Sequence, residues 1–323
     1  MRPVLCNPNV ACLATQAAVV AALVAGCVQE KPASSLQAGE NLLYEGKPRE
    51  AIQTLMSVPW SDPEVLAARR LVSDICTRID LYSQDAGQAP PRVDVVEILG
   101  TLPHDPSCFT EGLAFEGDTL LESCGLYGES RIRRVDAGTG ALLRERRLDG
   151  EYFGEGLTRF GDSVFVLTFV EGTGLVFDAD LTRQERSFPI EGEGWGLTHD
   201  GTHLVYSDGT NEIRFLDPGT GAVAKTVEVF HGGLPLMNIN ELEYVDGELL
   251  AVIWPTERIA RIDPTSGEVL GWILAEGLLP SSVRFSKVDV LNGIAYDPAG
   301  KRFFLTGKLW PTTFIVRLKP LSL

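Results

Sequence analysis

Histidine and net positive charge are what this chain has least of, and each scarcity removes a class of chemistry. Only four histidines occur in 323 residues, His104, His199, His203 and His231. None reads as part of a metal-ligand set or stands beside a plausible nucleophile, which argues against histidine-ligated zinc and Ser-His-Asp chemistry alike. Lysine and arginine number 28 against 44 aspartates and glutamates, a net charge of −16. An acidic surface repels phosphate instead of releasing its counterions, so nucleic acid is not an expected partner. Long apolar runs are missing too. The stretch from about Val10 to Val24 is short and interrupted by Thr15 and Gln16, which makes it a poor membrane span.

Glycine and proline, by contrast, are abundant at 33 and 19. That composition suits many short strands joined by tight turns, and it predicts an all-β fold. The length suits one large core with an appendage. At the N-terminus, Arg2 precedes the apolar stretch, which ends in Val24-Ala25-Gly26-Cys27. This resembles a bacterial lipoprotein signal, which implies that residues 1–26 are cleaved and that Cys27 carries the lipid. The expectation is an exported lipoprotein on the periplasmic face of a membrane or in the cell envelope, touching the membrane only through its anchor. Cys6 and Cys12 would leave with the signal, so Cys76, Cys108 and Cys124 remain. A turn at Phe115-Glu116-Gly117-Asp118 brings Cys108 and Cys124 near each other. They read either as a disulfide or as two small buried hydrophobes.

Residues 27–85 read as a short helical segment. Leu42, Leu43, Ala51, Ile52, Leu55 and Met56 fall at helical spacing, and Ser61-Asp62-Pro63 starts a second run from Val65 to Ile79. The Gly46-Lys47-Pro48 break resembles one tetratricopeptide-like hairpin, which cannot bury its own face. It is therefore expected to act as a spacer or to dock on a protein partner. Residues 86–92, with Gly87-Gln-Ala-Pro-Pro, form a linker.

Residues 93–323 repeat. Five segments share a start, namely Phe109-Thr-Glu-Gly-Leu, Phe153-Gly-Glu-Gly-Leu, Gly194-Trp-Gly-Leu, Asn240-Glu-Leu and Asn292-Gly-Ile, about 40 to 52 residues apart. That period is the length of a four-stranded propeller blade. Asp136, Asp178, Asp217 and Asp263 end third strands, and their side chains are expected to cap turns without taking part in chemistry. The fifth repeat lacks an outer strand, and the segment starting at Val93 is a strand without a blade. Pairing the two predicts a closed five-bladed β-propeller with no open edge.

Innermost strands of a propeller surround a channel, so matched strand ends meet at one mouth. The repeat start places Glu111, Glu155, Trp195, Asn240 and Asn292 there, and the end of the return strand adds Cys124, Phe169, Asp208, Trp254 and Lys308. A purely structural ring would repeat one residue type. Carboxylates, amides, tryptophans and a lysine at matched positions instead suit a water-poor pocket with a few convergent polar groups.

Several motifs in order carry a resemblance. Phe153-Gly-Glu-Gly-Leu, Gly192-Glu-Gly-Trp-Gly-Leu-Thr, Tyr206-Ser-Asp-Gly, Asn240-Glu-Leu-Glu-Tyr, Leu291-Asn-Gly-Ile-Ala-Tyr-Asp and Leu305-Thr-Gly-Lys-Leu-Trp-Pro resemble the plant and bacterial glutamine cyclotransferases. The likeness runs from roughly His104 to the C-terminus. It implies a five-bladed propeller that turns the N-terminal glutamine of peptides or proteins into pyroglutamate and releases ammonia, with no catalytic metal or cofactor. It also implies Glu155 as the acid/base group, Phe109, Phe153, Trp195 and Trp254 as an aromatic pocket, and Asn240 and Lys308 as polar contacts. Two positions depart from the commonest family pattern. Glu111 stands where glutamine is usual and adds a carboxylate, and Phe169 stands where tryptophan is usual and loses an indole N–H.

Chemically, an α-amine must attack a side-chain amide carbonyl. Glu155 is expected to relay a proton between the two nitrogens, Lys308 or Asn240 to steady the oxyanion, and Phe169 and Asn292 to line the pocket beside the other aromatics and Glu111. A structural calcium ion in the channel is left open. Two alternatives remain. One is a calcium-dependent lactonase-like hydrolase using Glu155, Asn240, Asn292 and Asp208; the other is a propeller that binds peptide ends without turnover.

Overall fold

The computed structural model describes residues 34–77, 91–280, 283 and 288–321. The expected signal with Cys27, and residues 86–90 of the expected linker, lie outside the described residues. Among the described residues no helix is long and apolar enough to cross a membrane.

Three helices come first. The α1 helix (Ser35–Tyr44) opens at Ser34, whose hydroxyl accepts the Gln37 N–H. The α2 helix (Pro48–Met56) begins on a proline, whose fixed φ suits a first helical position. The third, α3 (Val65–Cys76), follows a turn in which Asp62 Oδ1 accepts the Glu64 N–H at 2.8 Å. Their apolar stripe, including Ile52, Leu55, Val65, Val72 and Ile75, is buried in the same cluster as Val205, Phe215, Ile239, Leu242 and Trp272 of the strands. The segment expected to be a spacer or docking element thus packs its apolar face on the chain's own strands. A lone hairpin has no second layer, and here the chain's own sheets supply it.

The rest is mostly β. Three separate four-stranded antiparallel sheets run in chain order. The first holds Thr110–Glu116, Thr119–Cys124, Arg131–Asp136 and Leu142–Arg147; the second holds Gly154–Phe160, Ser163–Thr168, Thr173–Asp178 and Gln184–Pro189. The third holds Leu197–His199, Leu204–Ser207, Glu212–Leu216 and Val223–Glu228. A fourth group, Ile239–Val245 to Val269–Leu274, continues into a fifth, Leu291–Asp297, Arg302–Gly307 and Thr312–Pro320, as one eight-stranded sheet. The strand Arg92–Pro103 joins them. It pairs antiparallel with the last strand from Asp94↔Pro320 to Pro103↔Thr312, and parallel with Gly271–Leu274 through Arg92–Val95. The antiparallel pairing is the one expected from the incomplete fifth repeat; the parallel contact has no sequence signal.

The first strands of the five groups pack side by side around a nearly closed ring. The glycine of the repeat start explains how. A Cβ on Gly156 would lie 2.4 Å from the Trp195 carbonyl oxygen, and one on Gly196 2.1 Å from that of Asn240, so any side chain there would push adjacent inner strands apart. In the fourth group the equivalent residue is Glu241, and its carboxylate reaches across the ring to accept the N–H groups of Leu113 and Ile294, both at 3.0 Å. Glu243 likewise accepts the Tyr296 N–H at 2.9 Å. Asp136, Asp217 and Asp263 each accept two backbone N–H groups of their own turns, and Asp178 accepts those of Thr182 and Arg183.

A buried polar cluster pins the ring where Arg92–Pro103 meets the first and fifth groups. His104 sits 2.5 Å from both the Trp310 carbonyl oxygen and Glu122 Oε1, while Arg133 donates to Glu122 Oε2 at 2.8 Å. Burial opposes charge on His104, but Glu122 and the Trp310 carbonyl outweigh it and raise the imidazole pKa. Cys108 and Cys124 form a disulfide beside this cluster, and Cys76 is a buried free thiol.

Candidate active site

The ends of the inner strands enclose a cavity of about 270 Å³. Its lining includes Phe109, Glu111, Phe153, Glu155, Phe169, Trp195, Asn240, Trp254 and Lys308. Glu111 and Glu155 stand on the second residues of the first strands of their groups, and Asn240 stands on the matching residue of the fourth. Alternation along each strand turns the next side chain away, so one carboxyl or amide per strand faces the mouth.

The floor is polar and buried. Lys308 Nζ donates to Glu111 Oε1 at 2.8 Å and lies 4.6 Å from the centre of the Phe109 ring. Burial, the Glu111 charge and a hydrogen bond to Glu111 together push the Glu155 carboxyl well above the usual range, with Lys308 opposing. Burial raises Glu111 as well, but the direct ammonium contact favours its charged form. The two carboxyls interact closely enough to titrate as a pair, with Glu155 the more strongly raised. The side-chain oxygen of Asn240 is buried with no hydrogen-bond partner among the described residues.

The walls are aromatic. Phe109 and Phe153 meet edge to face at 6.4 Å, Phe153 and Phe169 lie 5.8 Å apart, and Trp195 meets Trp254 edge to face at 5.8 Å. A small apolar box over two buried carboxyls suits one flexible polar side chain.

Comparison with known proteins identifies the family. The sequence profile described as glutamine cyclotransferase matches residues 71–318, most of the chain. The chain belongs to the glutamine cyclotransferase family. It is 42% identical over 237 residues to a glutaminyl-peptide cyclotransferase of Arabidopsis thaliana, covering 72% of this chain and 73% of that one. It also superposes on the crystal structure of Myxococcus xanthus glutaminyl cyclase with a TM-score of 0.67 at 35% identity, across 72% of this chain and all of that one. The profile begins inside α3, earlier than the motifs alone suggested.

Three residues assigned to the mouth from repeat position, Asn292, Asp208 and Cys124, do not line the cavity of this glutamine cyclotransferase. Asn292 is fully buried and donates from Nδ2 to Glu111 Oε2 at 2.9 Å and to the Thr110 carbonyl at 3.1 Å. It holds Glu111 and does not face a substrate. Asp208 is tied to Arg214 and to its own turn through Thr210. That removes it from the donor set a calcium-dependent hydrolase would need, and Cys124 is consumed by the disulfide. His104, Cys108 and Glu122 are the one group of three donor residues close enough to hold a metal among the described residues, and Cys108 has no thiolate to offer.

Three lining residues carried no repeat signal: Asp289, just before the fifth inner strand, and Trp60 and Leu66 from the helical hairpin. The only clue to Trp60 is a tryptophan in the polar Pro59-Trp60-Ser61-Asp62 turn. Asp289 also borders a larger cavity of about 650 Å³ between α3 and the strands, lined by Arg70, Asp74, Arg258 and Glu276. Arg258 pairs there with Glu276 at 3.0 Å and with the Thr77 carbonyl at 2.9 Å.

Proposed function

We propose that Glu155 is the acid/base group with which this glutamine cyclotransferase turns the N-terminal glutamine of peptides into pyroglutamate and releases ammonia. The observation that carries the assignment is a buried carboxyl lining the cavity beside a second buried carboxylate that is itself paired with an ammonium.

An α-amine has a pKa of about 7.7–8.0, so a neutral fraction is available near neutral pH. Its nitrogen attacks the side-chain amide carbon and closes a five-membered ring. Glu155, protonated at rest, gives its proton to the departing amide nitrogen and recovers one from the ring nitrogen, so the enzyme returns to its starting state and ammonia leaves. Lys308 and the Asn240 amide are the polar groups placed to meet the oxygen on which negative charge develops. The aromatic walls hold the glutamine side chain folded towards its own amine, which raises the effective concentration of the nucleophile. A coupled ammonia assay on a short Gln-initiated peptide tests the reading, with Glu155→Gln as the control. Full turnover by that variant sinks the role of Glu155.

The five-bladed propeller is part of the same proposal, supported by five groups of four strands once Arg92–Pro103 completes the last. No cofactor enters the reaction as written. Calcium in the channel is a poor fit, because Glu241 and Glu243 already accept backbone N–H groups there. Export as a lipoprotein anchored through Cys27 to the periplasmic side of a membrane also belongs to this reading. The Val24-Ala25-Gly26-Cys27 sequence and a disulfide, which persists in oxidising compartments, support it.

A further inference from the structure

We propose that Trp60, carried to the pocket by the helical hairpin, reads the residue that follows the glutamine and gives this enzyme a preference for peptides with an apolar second residue. The proposal rests on the assignment of the pocket as the reaction site.

The cavity is graded in depth. Glu155 is 6% exposed at the floor, whereas Trp60 is 39% and Leu66 61% exposed at the lip. The reacting carbonyl must reach Glu155, so the peptide leaves across the lip and its second residue lies against Trp60 and Leu66. The indole continues the aromatic box outward, with ring centroids 5.9 Å from Trp254 and 6.2 Å from both Trp195 and Phe169. An apolar side chain laid on it removes exposed apolar surface from water; a glycine or a charged side chain does not.

The wall is fixed in place. Glu193 accepts the indole N–H of Trp60 at 3.0 Å with one oxygen and that of Trp195 at 2.9 Å with the other. The Arg69 guanidinium lies 4.9 Å from the centre of the Trp60 ring. Below it, Ser73 donates to the Trp254 carbonyl at 2.6 Å, and Asn238 donates to the Arg69 carbonyl at 2.9 Å and to Ser73 Oγ at 2.8 Å. With its apolar face also in the core, the hairpin is built into the site and is not a lid that swings away.

The test is ammonia release from Gln-Leu, Gln-Gly and Gln-Asp peptides of equal length by the full chain, Trp60→Ala and Trp60→Phe. One well-placed apolar contact is worth at least about tenfold in specificity. The wild type should therefore favour Gln-Leu over Gln-Gly by about that factor in kcat/KM, mainly through KM. Trp60→Ala should bring the ratio close to one, and Trp60→Phe, which keeps the ring but loses the N–H, should restore most of it. Equal ratios in all three proteins overturn the proposal, as does a Trp60→Ala variant that speeds every peptide alike. Absence of turnover on every peptide by the wild type would overturn the reaction assignment itself and this inference with it, which separates the two failures.

Discussion

Lys308 Nζ lies 2.7 Å from Glu111 Oε2, which sets an ammonium against one of two neighbouring buried carboxyls and not the other. The ammonium favours charge on Glu111, and the Glu111 charge in turn favours a neutral Glu155 in a site where burial already disfavours ionisation. Asn292 holds the second lone-pair face of Glu111, so the arrangement is set before a peptide arrives.

Replacing Glu155 with glutamine keeps the shape and removes the proton relay. We expect kcat to fall by about 10²–10⁴-fold, the usual contribution of a positioned acid/base group. Thermal unfolding should stay cooperative, so that the lower rate of ammonia release reports on chemistry and not on loss of folded protein.

Glu111→Gln removes the negative charge that raises Glu155. The Glu155 pKa then drops, and because the relay begins from protonated Glu155, the alkaline limb of the kcat profile should move to lower pH. A limb that stays in place or moves upward contradicts the coupling.

The Glu122 cluster should matter for stability and not for chemistry. Glu122→Gln breaks a buried pair with His104 and Arg133, which typically costs about 3–5 kcal/mol. The pH dependence has a definite sign. The His104 pKa is raised above 6.5 in the fold, so its contribution is full below about 6.5 and is lost as pH rises through the folded value. The Glu122 pKa is lowered from 4.5, mainly because His104 and Arg133 overcome its burial, so its contribution is present above about 4.5 and lost as pH falls through the folded value. Denaturant midpoints for the wild type and His104→Gln should therefore converge as pH rises from about 6.5 through the folded His104 value.

The Cys108–Cys124 disulfide closes a loop with a sequence separation of 16. Loop-closure entropy for that length corresponds to about 3 kcal/mol, which should appear as a lower unfolding midpoint for the Cys108→Ser, Cys124→Ser double variant. Equal midpoints with and without reductant would contradict a bridge that supports the fold.

The period of the repeat and the strand alternation within it determined which side chains face the mouth. Glu111, Glu155 and Asn240 occupy the same phase of successive inner strands, and a residue's phase is a local property that spacing records. The glycines beside them carry the close approach of adjacent strands, again a demand readable at one position. Tertiary structure alone decided what the matched positions do and what joins them from outside the repeat. Asn292 shares the phase yet bonds to Glu111, because the outcome of a hydrogen bond depends on the neighbour across the ring. Glu241 sits where a glycine would, and its span to two other strands has no local mark. Trp60 arrives on a hairpin with no register relative to the strands, placed by the fit of one apolar face against another.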